Sequence, residues 1–363
     1  MKILILCNHL NIGGITSYVF LLAKGLVKYG HRVWVAGEGE LVDKFKKEKI
    51  EVIHLNLKIK SEINPRIYTS TYKLKRYFSR ERPDIIHAHT RTTSIISYYL
   101  SKAFKIPYIT TCHGLYKIRW TRILFPFVGE FVVAISKVLE NQLVNNLKLD
   151  PRKVRLIYNG IDLDYFSPDE ILSERKQFGF KEEDFIIGNI SRLVKGKGQE
   201  MLIYAMPRIL QDIPQAKLVL VGDGRMKAYL EQKVKEFFLK DKVFFLGSLK
   251  DTRHVLKIMD LFCFLPSYEG FGLCILEAMA MKVPIIASNL CDLPYILEEG
   301  KAGILIPRNV ESLVLAIVDL YRNLTKRKKL IEYAYTKVKS FSYLKMVEEI
   351  QKLYELALKR YER

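Results

Sequence analysis

The sequence has few cysteines and no cysteine motif. Five occur among its 363 residues, an odd number, and no two of them form a C-x2-C pair. Zinc sites and disulfide frameworks need paired cysteines, so neither is predicted. Because these cysteines lie mostly within apolar strings, we expect reduced, buried thiols, as is typical of a cytoplasmic protein. They are Cys7, Cys112, Cys263, Cys274 and Cys291.

Long apolar runs are also missing. No run reaches eighteen apolar residues, so the sequence predicts no membrane-spanning helix. The opening MKILILCNHL has an apolar run too short for a signal peptide, and it leads directly into a glycine turn. We therefore predict a buried first strand there. Apolar residues still make up 49% of the chain, which is ample for globular cores, and the length favours two domains.

Two nucleotide-binding fingerprints are absent. G-x-G-x-x-G is not found, since in VGDGRMK its third glycine is replaced by Lys227, which disfavours a nicotinamide dehydrogenase. The same stretch lacks the Gly-Lys-Ser/Thr of a nucleoside-triphosphate loop. No helix-turn-helix, zinc-finger or RNA-binding aromatic motif occurs, so no nucleic-acid partner is predicted.

Positive charge is abundant and unevenly distributed. The net charge is +20, and residues 1–163 hold 27 Lys and Arg against 12 Asp and Glu, while the remainder holds 32 against 27. General solubility explains a basic chain but not this asymmetry. A basic first half indicates an anionic partner, and of nucleic acid, anionic lipid and a phosphorylated ligand, the missing motifs disfavour the first.

Short apolar runs alternate with helix-patterned stretches along the whole chain. Strands of this kind, separated by helices, indicate parallel sheets covered on both faces. The pattern breaks at the turn-rich YNGIDLDYFSPDE and then restarts. We therefore predict an α/β fold with two Rossmann-like domains, residues 1–163 and 164–341, facing a central cleft. The last helix, residues 342–363, could cap the second domain or return to the first.

Loops that follow strands carry the candidate chemistry, because ligands of such sheets bind beyond the strands' carboxyl ends. Gly13 and Gly14 lie between the first strand and the first helix, where a helix N-terminus favours phosphate. In NISRLVKGKGQE, Arg192 and Lys197 supply the two cations that a diphosphate needs. For Gly13 and Gly14, a plain tight turn is an alternative that stays open. For the two cations, the open alternative is that they are solvated surface charges.

Histidines end two strands of the first half. His113 is followed by a glycine in TTCHGLY and is well placed to line the cleft, although a lone histidine is usually structural. His87 and His89 share one strand face by alternation. A metal pair is conceivable there, but no nearby carboxylate completes a site, so packing is the preferred interpretation. In the loops predicted to face the cleft, neither Asp-x-Asp nor His-x-x-x-His occurs, and no metal ligand is predicted.

Two carboxylates flank a glycine break in SYEGFGLCILEAMA. Glu269 lies in a loop, and Glu277 lies about two turns into a helix predicted to start near Gly272. They are either a hydrolase's acid and base, a clamp for a polar ligand, or an ordinary helix start. A glycosidase needs carboxylates about 5–9.5 Å apart across one bond, whereas about 8–12 Å is natural here.

Taken together, Gly13-Gly14, His113-Gly114, NGID, SRLVKGKG, VGDG and E-x7-E resemble the retaining glycosyltransferases of family 4, also called group 1, which have the two-Rossmann GT-B architecture. The likeness covers essentially the whole chain. It implies transfer of a sugar from a nucleotide-diphosphate sugar, with retention of anomeric configuration, without a required cofactor or divalent metal. The two carboxylates would then be a clamp for the donor.

The resemblance also implies residue roles. Arg192 and Lys197 would hold the diphosphate and stabilise the leaving charge, and Glu277 would accept hydrogen bonds from the ribose hydroxyls. Glu269 would face the transferred sugar, and His113 would lie near the sugar and the acceptor. Backbone groups would complete the donor site: Gly13 and Gly14 at the phosphates, Gly247, Ser248 and Leu249 at the base, and Gly270, Phe271, Gly272 and Leu273 at the sugar.

Alternatives to this function are a non-catalytic polyanion-binding protein and a nucleotide-sugar epimerase of similar architecture. The basic first domain, with Lys117, Arg119, Arg122, Trp120, Phe125 and Phe127 between residues 114 and 131, further predicts contact with an anionic membrane. Within the family this fits a lipid-linked or cell-envelope glycan acceptor. The expected location is cytoplasmic, including the cytoplasmic face of the membrane.

Overall fold

The computed structural model describes residues 1–59, 62, 64–115, 118, 120–172 and 174–361. Internal contacts divide the chain into two compact units. Unit 1 contains residues 1–160 together with 342–363, and unit 2 contains residues 161–341. Each unit is built around one parallel sheet, so the predicted pair of Rossmann-like α/β domains is confirmed.

In its described residues, unit 1 has a seven-stranded parallel sheet with the order β3-β2-β1-β4-β5-β6-β7. The strands are β1 (Lys2–Leu6), β2 (Arg32–Gly37), β3 (Glu51–His54), β4 (Ile85–Ala88), β5 (Tyr108–Cys112), β6 (Phe131–Ala134) and β7 (Val154–Leu156). The helices are α1 (Gly14–Lys28), α2 (Val42–Lys47), α3 (Arg66–Tyr77), α4 (Arg91–Phe104), α5 (Trp120–Leu124) and α6 (Lys137–Asn141).

Unit 2 has a six-stranded parallel sheet, again counted over its described residues, with the order β10-β9-β8-β11-β12-β13. The strands are β8 (Phe185–Ile190), β9 (Ala216–Val221), β10 (Val243–Gly247), β11 (Leu261–Phe264), β12 (Ile285–Ser288) and β13 (Ile304–Ile306). The helices are α7 (Gln199–Asp212), α8 (Lys227–Glu236), α9 (Arg253–Ile258), α10 (Leu273–Ala280), α11 (Leu293–Ile296), α12 (Val310–Arg322) and α13 (Leu324–Val338).

The sheets form where the sequence has its apolar runs. All of β1 except Lys2 is buried, and every residue of β11 is. Strands covered on both faces cannot alternate polar and apolar residues, which is why these runs read as continuous. Strand β7 was not predicted from the sequence. It is three residues long and includes half-buried Arg155 at the sheet edge, so it leaves no apolar run.

The strand order fixes where ligands can bind. In unit 1 the order reverses between β1 and β4, and in unit 2 it reverses between β8 and β11. Loops that leave two such neighbouring strands diverge to opposite faces of the sheet, so a crevice opens between them. The predicted site loops follow β1, β5, β8, β10 and β11. Those after β1, β8 and β11 therefore leave strands that border a crevice.

The last helix, α14 (Tyr343–Tyr361), is grouped with unit 1. Glu348 accepts a hydrogen bond of 2.7 Å from the hydroxyl of Tyr29, the residue that follows α1. Tyr354 lies 2.7 Å from Nδ1 of His87 on β4. The chain thus returns to its first sheet. Among the helices that the structure describes, none is both long and apolar enough to cross a membrane.

Candidate active site

The loop between β8 and α7 carries Arg192 and Lys197 and is held by buried polar groups. Asn189 donates to the carbonyl of Cys263 (2.8 Å), and the Ser191 hydroxyl donates to Asn189 (2.8 Å). Gln199 then donates to Ser191 (2.6 Å) and to the carbonyl of Arg192 (3.0 Å). Because these buried groups satisfy one another, the loop has one preferred conformation.

Glycine is required at the end of this loop. Gly198 has a φ of +88°, and a Cβ there would lie 2.4 Å from the carbonyl oxygen of Leu265. The close approach brings the loop after β8 against the segment after β11. A further backbone bond, 2.7 Å from the Ser267 amide to the Gly196 carbonyl, joins the same two segments. The two loops at the crevice therefore form one surface.

Lys197 and Glu269 meet on that surface. The Lys197 ammonium lies 2.7 Å from Glu269 Oε2, and both side chains are largely covered. Glu269 Oε1 also accepts a 2.8 Å bond from the Gly270 amide. Arg192, in contrast, is exposed, and no partner is recorded for its guanidinium among the described residues. Of the two cations predicted to bind the diphosphate, Lys197 is thus paired and Arg192 is available.

The glycine break after Glu269 starts a helix. Gly272 has a φ of +90° and precedes α10, which begins at Leu273 as predicted to within one residue. The Phe271 side chain is buried beside Phe341, with ring centroids 6.1 Å apart, so Phe271 offers only its backbone to a ligand. Glu277 is the fifth residue of α10, just over one turn from its start rather than two.

Glu277 is tied to the neighbouring loop. Its Oε2 accepts a 3.0 Å hydrogen bond from the Thr252 hydroxyl. Thr252 lies after the segment containing Gly247, the last residue of β10, and half-buried Leu249. The Gly247 carbonyl accepts a 2.7 Å bond from the Gly222 amide. The residues predicted to bind the base and the ribose therefore lie on connected parts of unit 2.

A thiol also lies in the first turn of α10. Burial raises the pKa of Cys274 well above its ordinary value, and the negative charges of Glu277 and Glu269 raise it further. The thiol therefore stays protonated and is not a nucleophile. In the part of the chain that the structure describes, all five cysteines are free, three of them buried and two half-buried.

Unit 1 contributes Gly13 and Gly14 after β1. Gly13 has a φ of +156° and a ψ of +160°, a conformation that is essentially restricted to glycine. No atom lies within 4 Å of the position a Cβ would occupy there, so the backbone borders open space. Gly14 is exposed and is the first residue of α1. This geometry permits close approach of a ligand to the helix N-terminus.

His113 follows β5 and belongs to a histidine cluster. Its Nε2 lies 2.9 Å from Nδ1 of His89, and the His89 ring packs 4.3 Å from that of His87. Burial lowers the pKa of His113 to about 3 and that of His87 to about 3. His87 and His89 thus pack as preferred from the sequence. Among the described residues, no three His, Cys, Asp or Glu side chains are grouped so that they could hold a metal ion.

The structure therefore brings Lys197, Glu269 and Gly270 into direct contact and links Glu277 to the loop after β10. Arg192 lies on the same loop as Lys197. Gly13, Gly14 and His113 lie at the carboxyl ends of strands in the other unit.

Two family models match the chain. Glycosyl transferases group 1 matches residues 170–337, and Glycosyltransferase Family 4 matches residues 12–165. The chain belongs to the group 1 glycosyltransferases. An uncharacterized glycosyltransferase of Methanocaldococcus jannaschii is a relative within the family, with 28% identity over 96% of this chain and 95% of the relative.

Two further relatives carry informative names. One is the UDP-Gal:alpha-D-GlcNAc-diphosphoundecaprenol alpha-1,3-galactosyltransferase of Escherichia coli, with 27% identity over 78% of each chain. The other is HepE of Anabaena, solved in complex with UDP-glucose. It superposes with a TM-score of 0.85 over 98% of this chain and 99% of that chain, at 23% identity. The second likeness supports the GT-B fold of the family.

Several residues of this group 1 site were not predicted from the sequence. Asn189, Ser191 and Gln199 shape the cation loop, and Thr252 holds Glu277. Asn189 could have been noticed, since a polar residue inside the apolar strand FIIGNI needs a buried partner. Thr252 gives no such signal, because its contact joins residues 25 positions apart.

Proposed function

We propose that this glycosyltransferase moves a sugar from a nucleotide-diphosphate sugar to an acceptor hydroxyl with retention of configuration and without a divalent metal. The observation that carries the proposal is the Lys197–Glu269 pair, where the loops after β8 and β11 meet, on a loop that also carries exposed Arg192. Cations at this point can neutralise a leaving diphosphate directly. A leaving group stabilised in this way needs little acid catalysis.

The donor would lie mainly on unit 2. Arg192 and Lys197 bind the diphosphate, and Glu277 accepts hydrogen bonds from the ribose. Glu269 and the backbone of residues 270–273 face the transferred sugar, while the backbone of Gly247 and Leu249 meets the base. Support comes from the contacts above and from relatives whose names include uridine-diphosphate sugars.

Unit 1 would complete the site from the acceptor side. Gly13 and Gly14 approach the phosphates through the open space beside Gly13. His113 contacts the transferred sugar near the attacking hydroxyl. The roles of the two units, unit 1 as the acceptor-side domain and unit 2 as the donor-binding domain, are part of this proposal.

The test is a transfer assay with uridine-diphosphate sugars and product analysis by NMR. Lys197→Ala should lower kcat by ~10²–10³, the usual cost of losing one such stabilising group. Lys195→Ala, which removes an exposed cation from the same loop, is the matched control and should keep activity. Equal activity of both variants would contradict the site, and an inverted anomeric product would contradict retention.

We further propose that the acceptor is lipid-linked or part of a cell-envelope glycan, and that unit 1 contacts the cytoplasmic face of an anionic membrane. Large apolar side chains in and after α5 are exposed, among them Trp120 by 71%, Leu124 by 63% and Phe125 by 60%. Lys117 and Arg119 lie outside the described residues. Phe127 is half-buried, packs with Tyr98 against the core of unit 1, and does not belong to this exposed group.

Half-buried aromatic rings beneath this exposed group connect it to α3. Phe125 stacks on Phe127, and Tyr98 contacts both Phe127 and Tyr99. Tyr99 in turn contacts Tyr68, which is exposed on α3. Exposed aromatic rings on a unit with excess Lys and Arg suit an interface with anionic headgroups, where each cation contributes about 1 kcal/mol.

Vesicle co-sedimentation tests the membrane contact. The wild type should bind vesicles that contain anionic lipid but not neutral ones, and salt should weaken binding through screening. Trp120→Ala combined with Leu124→Ala should reduce binding. Leu315→Ala is the control, since Leu315 is also exposed (62%) but lies on α12 of unit 2. A wild type that ignores anionic vesicles at low ionic strength would indicate a soluble acceptor.

A further inference from the structure

Three imidazole rings lie stacked beneath the carboxyl ends of β4 and β5. The His87 and His89 ring centroids are 4.3 Å apart, those of His89 and His113 are 5.2 Å apart, and both pairs are inclined by 31°. His87 and His89 are almost fully buried, and His113 is half-buried. The stack therefore runs from the interior of unit 1 to the histidine proposed to face the sugar.

The inner end of the stack is fixed at both ring nitrogens. His87 Nδ1 lies 2.7 Å from the Tyr354 hydroxyl, and its Nε2 lies 2.7 Å from the Thr111 hydroxyl. His89 packs between this ring and that of Tyr18, whose centroid is 5.5 Å away. A ring confined in this way cannot change its orientation without disturbing its neighbours.

The contact between His89 and His113 can have either of two polarities. Nδ1–H of His89 donates to Nε2 of His113, or Nε2–H of His113 donates to Nδ1 of His89, over the same 2.9 Å. Burial lowers the pKa of His113 to about 3 and that of His89 well below its ordinary value, so both rings are neutral. A neutral imidazole carries one N–H. The second polarity would therefore move the His89 proton to Nε2.

The surroundings of His89 Nε2 decide between the two polarities. This nitrogen is buried and has no hydrogen-bond partner among the described residues. Among buried backbone groups, an orphaned N–H is rarer than an under-satisfied acceptor. The same preference keeps the proton of a buried imidazole off a nitrogen that has no acceptor to meet. The His89 proton therefore belongs on Nδ1, where it has an acceptor. His113 Nε2 is then that acceptor, and the His113 proton lies on Nδ1.

We infer that His89 is a positioning residue that fixes His113 in its Nδ1–H tautomer, so that His113 meets the substrate as a neutral hydrogen-bond donor and not as a general base. Within the described residues, no partner is recorded for His113 Nδ1. An N–H at His113 Nδ1 can donate a hydrogen bond to a sugar oxygen on which negative charge develops. The link to substrate rests on the proposed function; the tautomer does not.

The tautomer is measured first, on the wild-type chain labelled with ¹⁵N histidine. A long-range ¹H–¹⁵N correlation spectrum at pH 7.5 should show His113 protonated at Nδ1 and unprotonated at Nε2. The signals of His113 are assigned by their absence from the spectrum of His113→Gln. The opposite pattern, with the proton on Nε2, overturns the inference. This measurement needs no substrate, so it stands even if the proposed transfer fails.

Variants at His89 test the consequence for catalysis. In His89→Asn the side-chain amide can still donate a hydrogen bond to His113 Nε2. His89→Leu removes this donor, so that nothing holds His113 in one tautomer. His89→Leu should lower kcat ~10-fold or more, the cost of about one hydrogen bond, with little change in donor KM. His89→Asn should recover most of kcat. Equal kcat in the two variants overturns the positioning role, and if the leucine variant does not fold, the NMR pattern decides.

Discussion

The same histidine stack predicts how the stability of unit 1 depends on pH. The pKa of His87 and that of His113 are lowered to about 3, and that of His89 is lowered well below 6.5, in each case first by burial. In the unfolded chain all three titrate near 6.5. Between these values the unfolded state binds more protons than the folded state. The free energy of unfolding is therefore highest above pH 6.5 and falls as the pH decreases below it.

The magnitude follows from proton linkage. At pH 5.5, one unit below the unfolded pKa, each histidine that stays neutral in the folded state lowers the free energy of unfolding by about 1.4 kcal/mol. Three of them together lower it by about 4 kcal/mol, a large part of a typical domain stability. His9 and His31, whose pKa values burial also lowers, act in the same direction.

The assay is urea unfolding followed by the fluorescence of Trp34, which is buried in the core of unit 1. Trp120→Phe removes the only other tryptophan of the sequence. The free energies of unfolding extrapolated to water at pH 7.5 and 5.5 should differ by about 4 kcal/mol, while the histidines predict no change between pH 7.5 and 8.5. If the unfolding free energies at pH 5.5 and 7.5 agree within about 1 kcal/mol, the stack is hydrated or charged and the reasoning is wrong.

Three further predictions concern the donor site. Thr252→Val removes the hydroxyl that donates a hydrogen bond to Glu277, and it should raise the KM for the nucleotide sugar ~10-fold with kcat nearly unchanged. Thr252→Ser should restore the wild-type KM. An unchanged KM in the valine variant would show that Glu277 needs no support from residue 252. Gly13→Ala should destabilise unit 1 by about 1–3 kcal/mol through backbone strain and weaken donor binding in a titration; Gly30→Ala, at another positive-φ glycine with open space, should leave donor binding intact. Transfer should survive excess EDTA, and loss with rescue by Mn²⁺ or Mg²⁺ would contradict the metal-independent proposal.

The sequence predicted the elements of this fold well because parallel strands covered on both faces leave continuous apolar runs. KILILC and LFCFLPS contain β1 and β11, and the helix-patterned stretches between strands became α1 and α4. The order of strands within each sheet could not be predicted from such runs. It depends on which way each crossover turns, and the reversals beside β1 and β8 are set by packing across the whole unit.

The candidate site was predictable only where local chemistry is sufficient. Glycines and cations at the ends of strands identify the loops, since a phosphate needs both. The partners of these groups were not predictable, because they come from distant parts of the sequence. Tyr354 reaches His87 across 267 positions, and Lys197 reaches Glu269 across 72. Contacts of this range exist only once the sheet has formed.

The pairing of Lys197 with Glu269 changes how the charge of the donor site should be viewed. Their charges cancel at 2.7 Å, so an arriving diphosphate does not meet two independent cations. Under the proposed function it would meet exposed Arg192 and the N-terminus of α10, whose dipole favours an anion. Lys197 becomes available to the diphosphate only to the extent that Glu269 turns to the sugar hydroxyls. On this view Glu269 holds Lys197 in place before the donor binds, and the sugar itself, by engaging Glu269, completes the charge that stabilises its own leaving group.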